Sequence, residues 1–77
     1  MSWIKITIME FNLNGQEYIQ LMQLLKFTGF VDTGGDAKLH IDGGEVIVNG
    51  KQEFRRRNKL RAGDKVEFNG QTVLILL

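Results

Sequence analysis

The stretch from Thr33 to Val66 constrains the fold of this chain more than any other. Thr33-Gly34-Gly35-Asp36-Ala37-Lys38 reads as the start of a short helix. The Thr33 hydroxyl is placed to accept from the Asp36 amide while Asp36 reaches back, a capping box with Asp in place of the usual Glu. Ala37 and Ile41 fall four apart and share a face, Lys38 and Asp42 share a neighbouring one, and Gly43-Gly44 stops the helix. Glu45 to Val48 and Lys51 to Phe54 then flank Asn49-Gly50, the strongest short hairpin signal. Gly63-Asp64 turns the chain into a last strand pair, Lys65 to Phe68 and Thr72 to Leu76, around Asn69-Gly70.

Upstream, Trp3 to Met9 alternates apolar and polar residues with many β-branched side chains and predicts a strand. Asn12-Leu13-Asn14-Gly15 is a turn. Glu17 to Phe27 predicts a helix, because Tyr18, Leu21, Met22 and Leu25 recur at i, i+3, i+4, i+7. Gly29 suits a left-handed cap behind it. The expected architecture is α+β, with two short helices packed on a small, mostly antiparallel, twisted sheet. The apolar run Val73-Leu74-Ile75-Leu76-Leu77 suits an inner strand or an edge strand open to a partner. Without proline, repeats or a low-complexity linker, residues 1–77 read as one domain.

Several function classes are disfavoured. A chain of 77 residues buries only about 60–65% of its unfolded surface, which leaves little room for a deep catalytic cleft. There is no cysteine, so disulfides, thiolate metal sites and thiol chemistry are excluded. His40 is the only histidine; alone it is a poor metal site and, without a partner and a cleft, a poor general base. It suits packing at the edge of the second helix, or contact with RNA. The acidic residues show no catalytic spacing, and the Thr33-Gly34-Gly35 turn lacks the Gly-Lys-Ser/Thr ending of a phosphate-binding nucleotide loop. No apolar run nears the ~20 residues of a membrane span, and the N-terminus does not read as a signal peptide. The expectation is a cytoplasmic protein that is not an enzyme, with no cofactor, metal, membrane or small-molecule substrate.

The charge distribution is more informative than its net value of +1. Residues 51–61 carry six basic side chains (Lys51, Arg55, Arg56, Arg57, Lys59, Arg61) and one acidic, Glu53, for a local +5; the other 66 residues sum to −4. A concentrated field of this sign suits phosphate. Guanidinium groups offer forked donors to phosphate oxygens and stay charged at any working pH. In an extended segment Arg55 and Arg57 would share one face and Arg56 the other. One of the three can be structural, paired with Glu53 or Asp64. Thr33, Gly34 and Gly35 present helix N-terminal amides to an anion, although plain capping accounts for the same residues. Lys38 extends the basic face unless it pairs with Asp42. Of the aromatic residues Trp3, Phe11, Tyr18, Phe27, Phe30, Phe54 and Phe68, most suit the core; Phe54, beside the arginines, is the candidate for stacking a base.

With these residues in view, the chain resembles the S4-like RNA-binding domain, also called the alpha-L RNA-binding fold, over residues 18–66. The family recurs in a small-subunit ribosomal protein, some pseudouridine synthases, a bacterial heat-shock protein and bacterial tyrosyl-tRNA synthetases. The resemblance rests on Leu24-Leu25-Lys26, Gly34-Gly35-Asp36-Ala37-Lys38, Val46 to Gly50, Glu53, Arg55-Arg56, Lys59-Leu60 and Gly63-Asp64-Lys65-Val66, in this order and spacing. It is closest to small stand-alone bacterial members. Where many members place a Ser-Arg pair that contacts RNA, this chain has Thr33-Gly34, which shifts the expected contact to backbone amides and Lys38. The resemblance implies binding to structured ribosomal or transfer RNA, or to the ribosome, through Lys26, Thr33, Gly34, Gly35, Lys38, Lys51, Arg55, Arg56, Arg57, Lys59 and Arg61. Two other readings of the same charge remain: an acidic protein surface, on the ribosome or in a replication or repair complex, and DNA. The DNA reading lacks a long recognition helix.

Overall fold

Each Asn-Gly pair folds as the turn chemistry requires. Asn49 and Gly50 both take positive φ (52° and 84°), as do Asn69 and Gly70 (53° and 77°) and Asn14 and Gly15 (52° and 88°). Two consecutive left-handed residues match the right-handed twist of flanking strands, and Asn and Gly tolerate that conformation best. A computed structural model describes residues 7–77. Its elements are β1 (Thr7–Asn12), β2 (Ile19–Gln20), α1 (Leu21–Phe27), α2 (Gly34–Asp42), β3 (Val46–Val48), β4 (Lys51–Gln52), β5 (Lys59–Leu60), β6 (Lys65–Phe68) and β7 (Gln71–Leu76).

Five strands form one sheet in the order β1-β7-β6-β3-β4, antiparallel except where β1 runs parallel to β7. The C-terminal strand is therefore an inner one, which settles the two options open for residues 73–77. The predicted first strand is present from Thr7 and runs on to Asn12; its Trp3 to Ile6 portion lies outside the described residues. Alternation sends Val46, Val48, Val66, Phe68, Val73 and Ile75 to the core face. Leu21, Leu24 and Leu25 of α1 and Ala37 and Ile41 of α2 cover that face. No polar or charged residue is buried among those described.

The first helix differs from expectation. It begins at Leu21, not Glu17, because Ile19 and Gln20 pair antiparallel with Leu60 and Lys59 as a second, two-stranded sheet. Tyr18 therefore precedes the helix and is not part of its apolar face. At the far end the Phe30 amide donates to Leu25 O and the Gly29 amide to Lys26 O, the paired bonds of a Schellman cap, with Gly29 at φ 80° as expected. Helix α2 starts where predicted, with Thr33 Oγ1 accepting from the Asp36 amide at 3.1 Å. The return bond from the Asp36 carboxylate is not made among the described residues, so the capping box is half formed. Gly44, at φ 75°, closes α2 with the same paired cap.

Candidate nucleic-acid interface

Between β4 and β5 the backbone leaves the sheet, and this loop carries the arginine run. Its organiser is Glu53, whose side chain is only 13% exposed. Oε1 accepts from the Arg55 backbone amide and from Arg55 Nε, both at 2.9 Å. Oε2 accepts from Arg55 Nη2 and from Asn58 Nδ2, both at 3.1 Å. The forked Arg55 hydrogen bond is the main reason the Glu53 carboxyl titrates below the usual carboxylate range; burial pushes the other way and loses. Arg55 is thus the structural arginine of the three, with its own pKa raised by the same bond.

The loop is also tied to the first helix. No side chain caps α1 at Gln20. Instead the Leu21 amide donates to Asn58 O and the Met22 amide to Arg56 O, both at 3.0 Å. Loop carbonyls satisfy the helix's orphan donors, and the helix in turn fixes the loop. Arg56 and Arg57 sit in a turn, both exposed, so the expected strand-like alternation of Arg55, Arg56 and Arg57 does not occur.

Around this loop the cations gather. Phe54, Arg55, Arg56 and Arg57 line a hollow of about 370 Å³ floored by Met22. The start of α2 borders it, since a Cβ added to Gly34 would stand 3.9 Å from Met22 Sδ. Among the described residues the Gly34 and Gly35 amides have no hydrogen-bond partner, while Thr33 is occupied as the cap. Lys38 lies one turn on from Gly34, on the same side of α2. The alternative for Lys38, a pair with Asp42, is not formed among the described residues. A second hollow, about 640 Å³, brings Lys51, Arg55 and Lys59 together with Asn49, Asn58 and Asp64. Asp64 is committed to the fold, accepting from Asn49 Nδ2 at 3.0 Å and from the Arg61 amide at 2.7 Å.

Tyr18 is the residue sequence reasoning missed. Lys59 Nζ lies 4.9 Å and Arg61 Cζ 5.7 Å from its ring centroid, so the ring holds two cations at the rim of the face. The two-residue β2 that places it is too short to show a strand period. Lys26 is set apart from both arginine hollows; it lines another, with Gln23, Phe11 and Phe27. His40 packs at the edge of α2, its Nδ1 3.0 Å from Glu45 Oε2 and its ring 5.0 Å from that of Phe68. Lys26, Lys38, Lys51, Arg56, Arg57, Lys59 and Arg61 make no ion pair among the described residues. Apart from Arg55, the basic run is therefore available to an external anion.

Residues 11–76 match the S4 domain family. The chain belongs to that family. Among relatives of this S4 domain protein, YbcJ of Escherichia coli K12, named as a candidate RNA-binding protein, is 38% identical over 66 residues, 86% of this chain and 94% of that one. RlbA of Bacillus subtilis strain 168, named a probable ribosome maturation protein, is 43% identical over 54 residues, 70% of this chain and 76% of that one. The solution structure of E. coli YbcJ, described as revealing an ALFAL motif involved in RNA binding, superposes with a TM-score of 0.70 at 35% identity, covering 100% of this chain and 92% of that one. The S4-like fold expected from the residues is the fold observed. No helix among the described residues is long and apolar enough to cross a membrane.

Proposed function

We propose that this S4 domain is a non-enzymatic RNA-binding protein of the cytoplasm that docks one basic face onto structured RNA, chiefly through phosphates. The observation that carries this reading is the pinned loop: Glu53 and the start of α1 hold its backbone while Arg56 and Arg57 are exposed and make no ion pair among the described residues. Preorganised cations bind without the entropy cost of ordering a mobile loop. Lys38, Lys51, Lys59 and Arg61 widen the field, and Lys26 joins only where the RNA continues past α1. The name of YbcJ favours RNA, and that of RlbA, a ribosome maturation protein, favours the ribosome as the setting. Phosphate contacts position a protein without reading sequence, so folded RNA would be recognised by shape.

Salt titration tests the reading. Neutralising about four to six phosphates gives a log–log slope of the binding constant against salt of about −3 to −5. A double Arg56→Ala, Arg57→Ala variant keeps the Glu53–Arg55 pair and should flatten that slope by about two. A slope near zero in the native protein sinks the electrostatic account. Association with ribosomal particles that survives nuclease treatment points to an acidic protein surface instead.

A further inference from the structure

We infer that the hollow lined by Met22, Phe54, Arg55, Arg56 and Arg57 receives an unpaired base of the bound RNA, stacked on the Phe54 ring, with its flanking phosphates on Arg56 and Arg57. This rests on the RNA-binding reading and goes beyond it, because it makes the site selective for interrupted over continuous duplex. Phe54 is 54% exposed, a placement the core does not require. The other phenylalanines of the described residues are all engaged with aromatic rings: Phe11 with Phe27, Phe30 with Phe68, and His40 with Phe68. Phe54 has neither an aromatic nor a cationic partner among the described residues.

The ring is nevertheless held. A Cβ on Gly44 would stand 3.2 Å and 3.4 Å from two ring carbons of Phe54, so the ring rests against bare Gly44 backbone. Gln52 Nε2 donates to Gly44 O at 3.0 Å and fixes that neighbour. Phe54 lines a hollow of about 370 Å³ together with Arg55, Arg56 and Arg57, so a supported aromatic side chain and two arginines without an ion-pair partner among the described residues border one space. An apolar plane with a cationic rim complements one chemical group in particular, a nucleotide, which is flat, aromatic and anionic. Paired bases in A-form RNA keep their faces stacked on each other, whereas bulged and looped bases are free to stack on a side chain.

The test uses the full chain and two probes: a short RNA duplex, and the same duplex with one unpaired 2-aminopurine. Base–aromatic stacking implies about tenfold tighter binding of the bulged probe, with quenching of its fluorescence on binding. Phe54→Leu, which keeps apolar packing on Gly44 but lacks the aromatic plane, should lose both the preference and the quench. It should keep its affinity for the continuous duplex and its salt slope, whereas Phe54→Tyr should keep all of them. Equal binding of the two probes by the native protein, or a preference that survives in Phe54→Leu, overturns the inference and leaves RNA binding standing. Failure to bind either probe overturns the RNA reading as well and directs attention to an acidic protein surface.

Discussion

Replacing Glu53 by alanine should weaken both the fold and RNA binding, although it removes a negative charge from a basic face. Glu53 accepts four hydrogen bonds. The guanidinium of Arg55 lies in solvent, its side chain 75% exposed, so its two bonds add little. The bond from the Asn58 side chain is part-buried and contributes about 1 kcal/mol, while the one from the Arg55 backbone amide is exposed and contributes about 0.5 kcal/mol. The expected loss is about 1.5 kcal/mol, a fall in Tm of roughly 6–12 °C for a domain of this size. For binding, electrostatics alone predicts tighter association, since the net charge of +1 rises by one unit. Preorganisation predicts the opposite. Fixing the backbone of a single residue costs about 1–2 kcal/mol, so releasing even part of the loop should weaken RNA binding about tenfold. Urea denaturation reads the first effect and fluorescence anisotropy with a duplex RNA the second. Glu53→Ala binding more tightly than the native protein, with unchanged stability, refutes the idea that Glu53 builds the site. The pH dependence follows with its sign. The folded Glu53 pKa lies below its ordinary value of 4.5, so its contribution is complete above that value and is lost as pH falls through the folded pKa. The stability gap between native protein and Glu53→Ala should therefore close below about pH 4.5 and not at neutral pH.

Gly44→Ala and Gly70→Ala separate backbone strain from contact, because both residues have φ near 75° but only Gly44 is crowded, its added Cβ standing 2.9 Å from Gln52 Nε2. Thermal melts should place Gly70→Ala about 1 kcal/mol below native and Gly44→Ala lower still. Thr33→Ala removes the single side-chain cap of α2 and should cost about 1 kcal/mol by urea denaturation, a value expected to shrink if RNA replaces the cap. Asn49→Ala loses the bond to Asp64 and the one accepted from the Lys65 amide, at a left-handed position; about 2 kcal/mol is expected in the same assay. A loss below 0.5 kcal/mol would mean that water substitutes for both partners.

What the residues determined by themselves is what lies close along the chain. The Asn-Gly turns, the Thr33 cap, the Gly29 and Gly43-Gly44 stops and the Ala37/Ile41 face all join groups within a few positions. Neighbours meet at small loop-closure cost, so the amino acids present decide the outcome. The concentration of charge in residues 51–61 is likewise plain from order alone, and it marks the face. Tertiary structure decided the rest. An apolar, alternating strand pairs equally well with several others, so only competition within the folded chain put β7 between β1 and β6 and made β1 its parallel neighbour. The pattern from Glu17 to Phe27 is helical throughout, yet the helix starts at Leu21 because distant carbonyls of Arg56 and Asn58 meet its first amides and Leu60 pairs with Ile19. Tyr18 thereby leaves the core and joins Lys59 and Arg61. The same long-range docking turns the arginine run from an extended strand into a held loop, with Arg55 bonded to Glu53 and Arg56 and Arg57 left without an ion-pair partner among the described residues. Composition supplied the charge, and the packing of the loop on α1 supplied its direction.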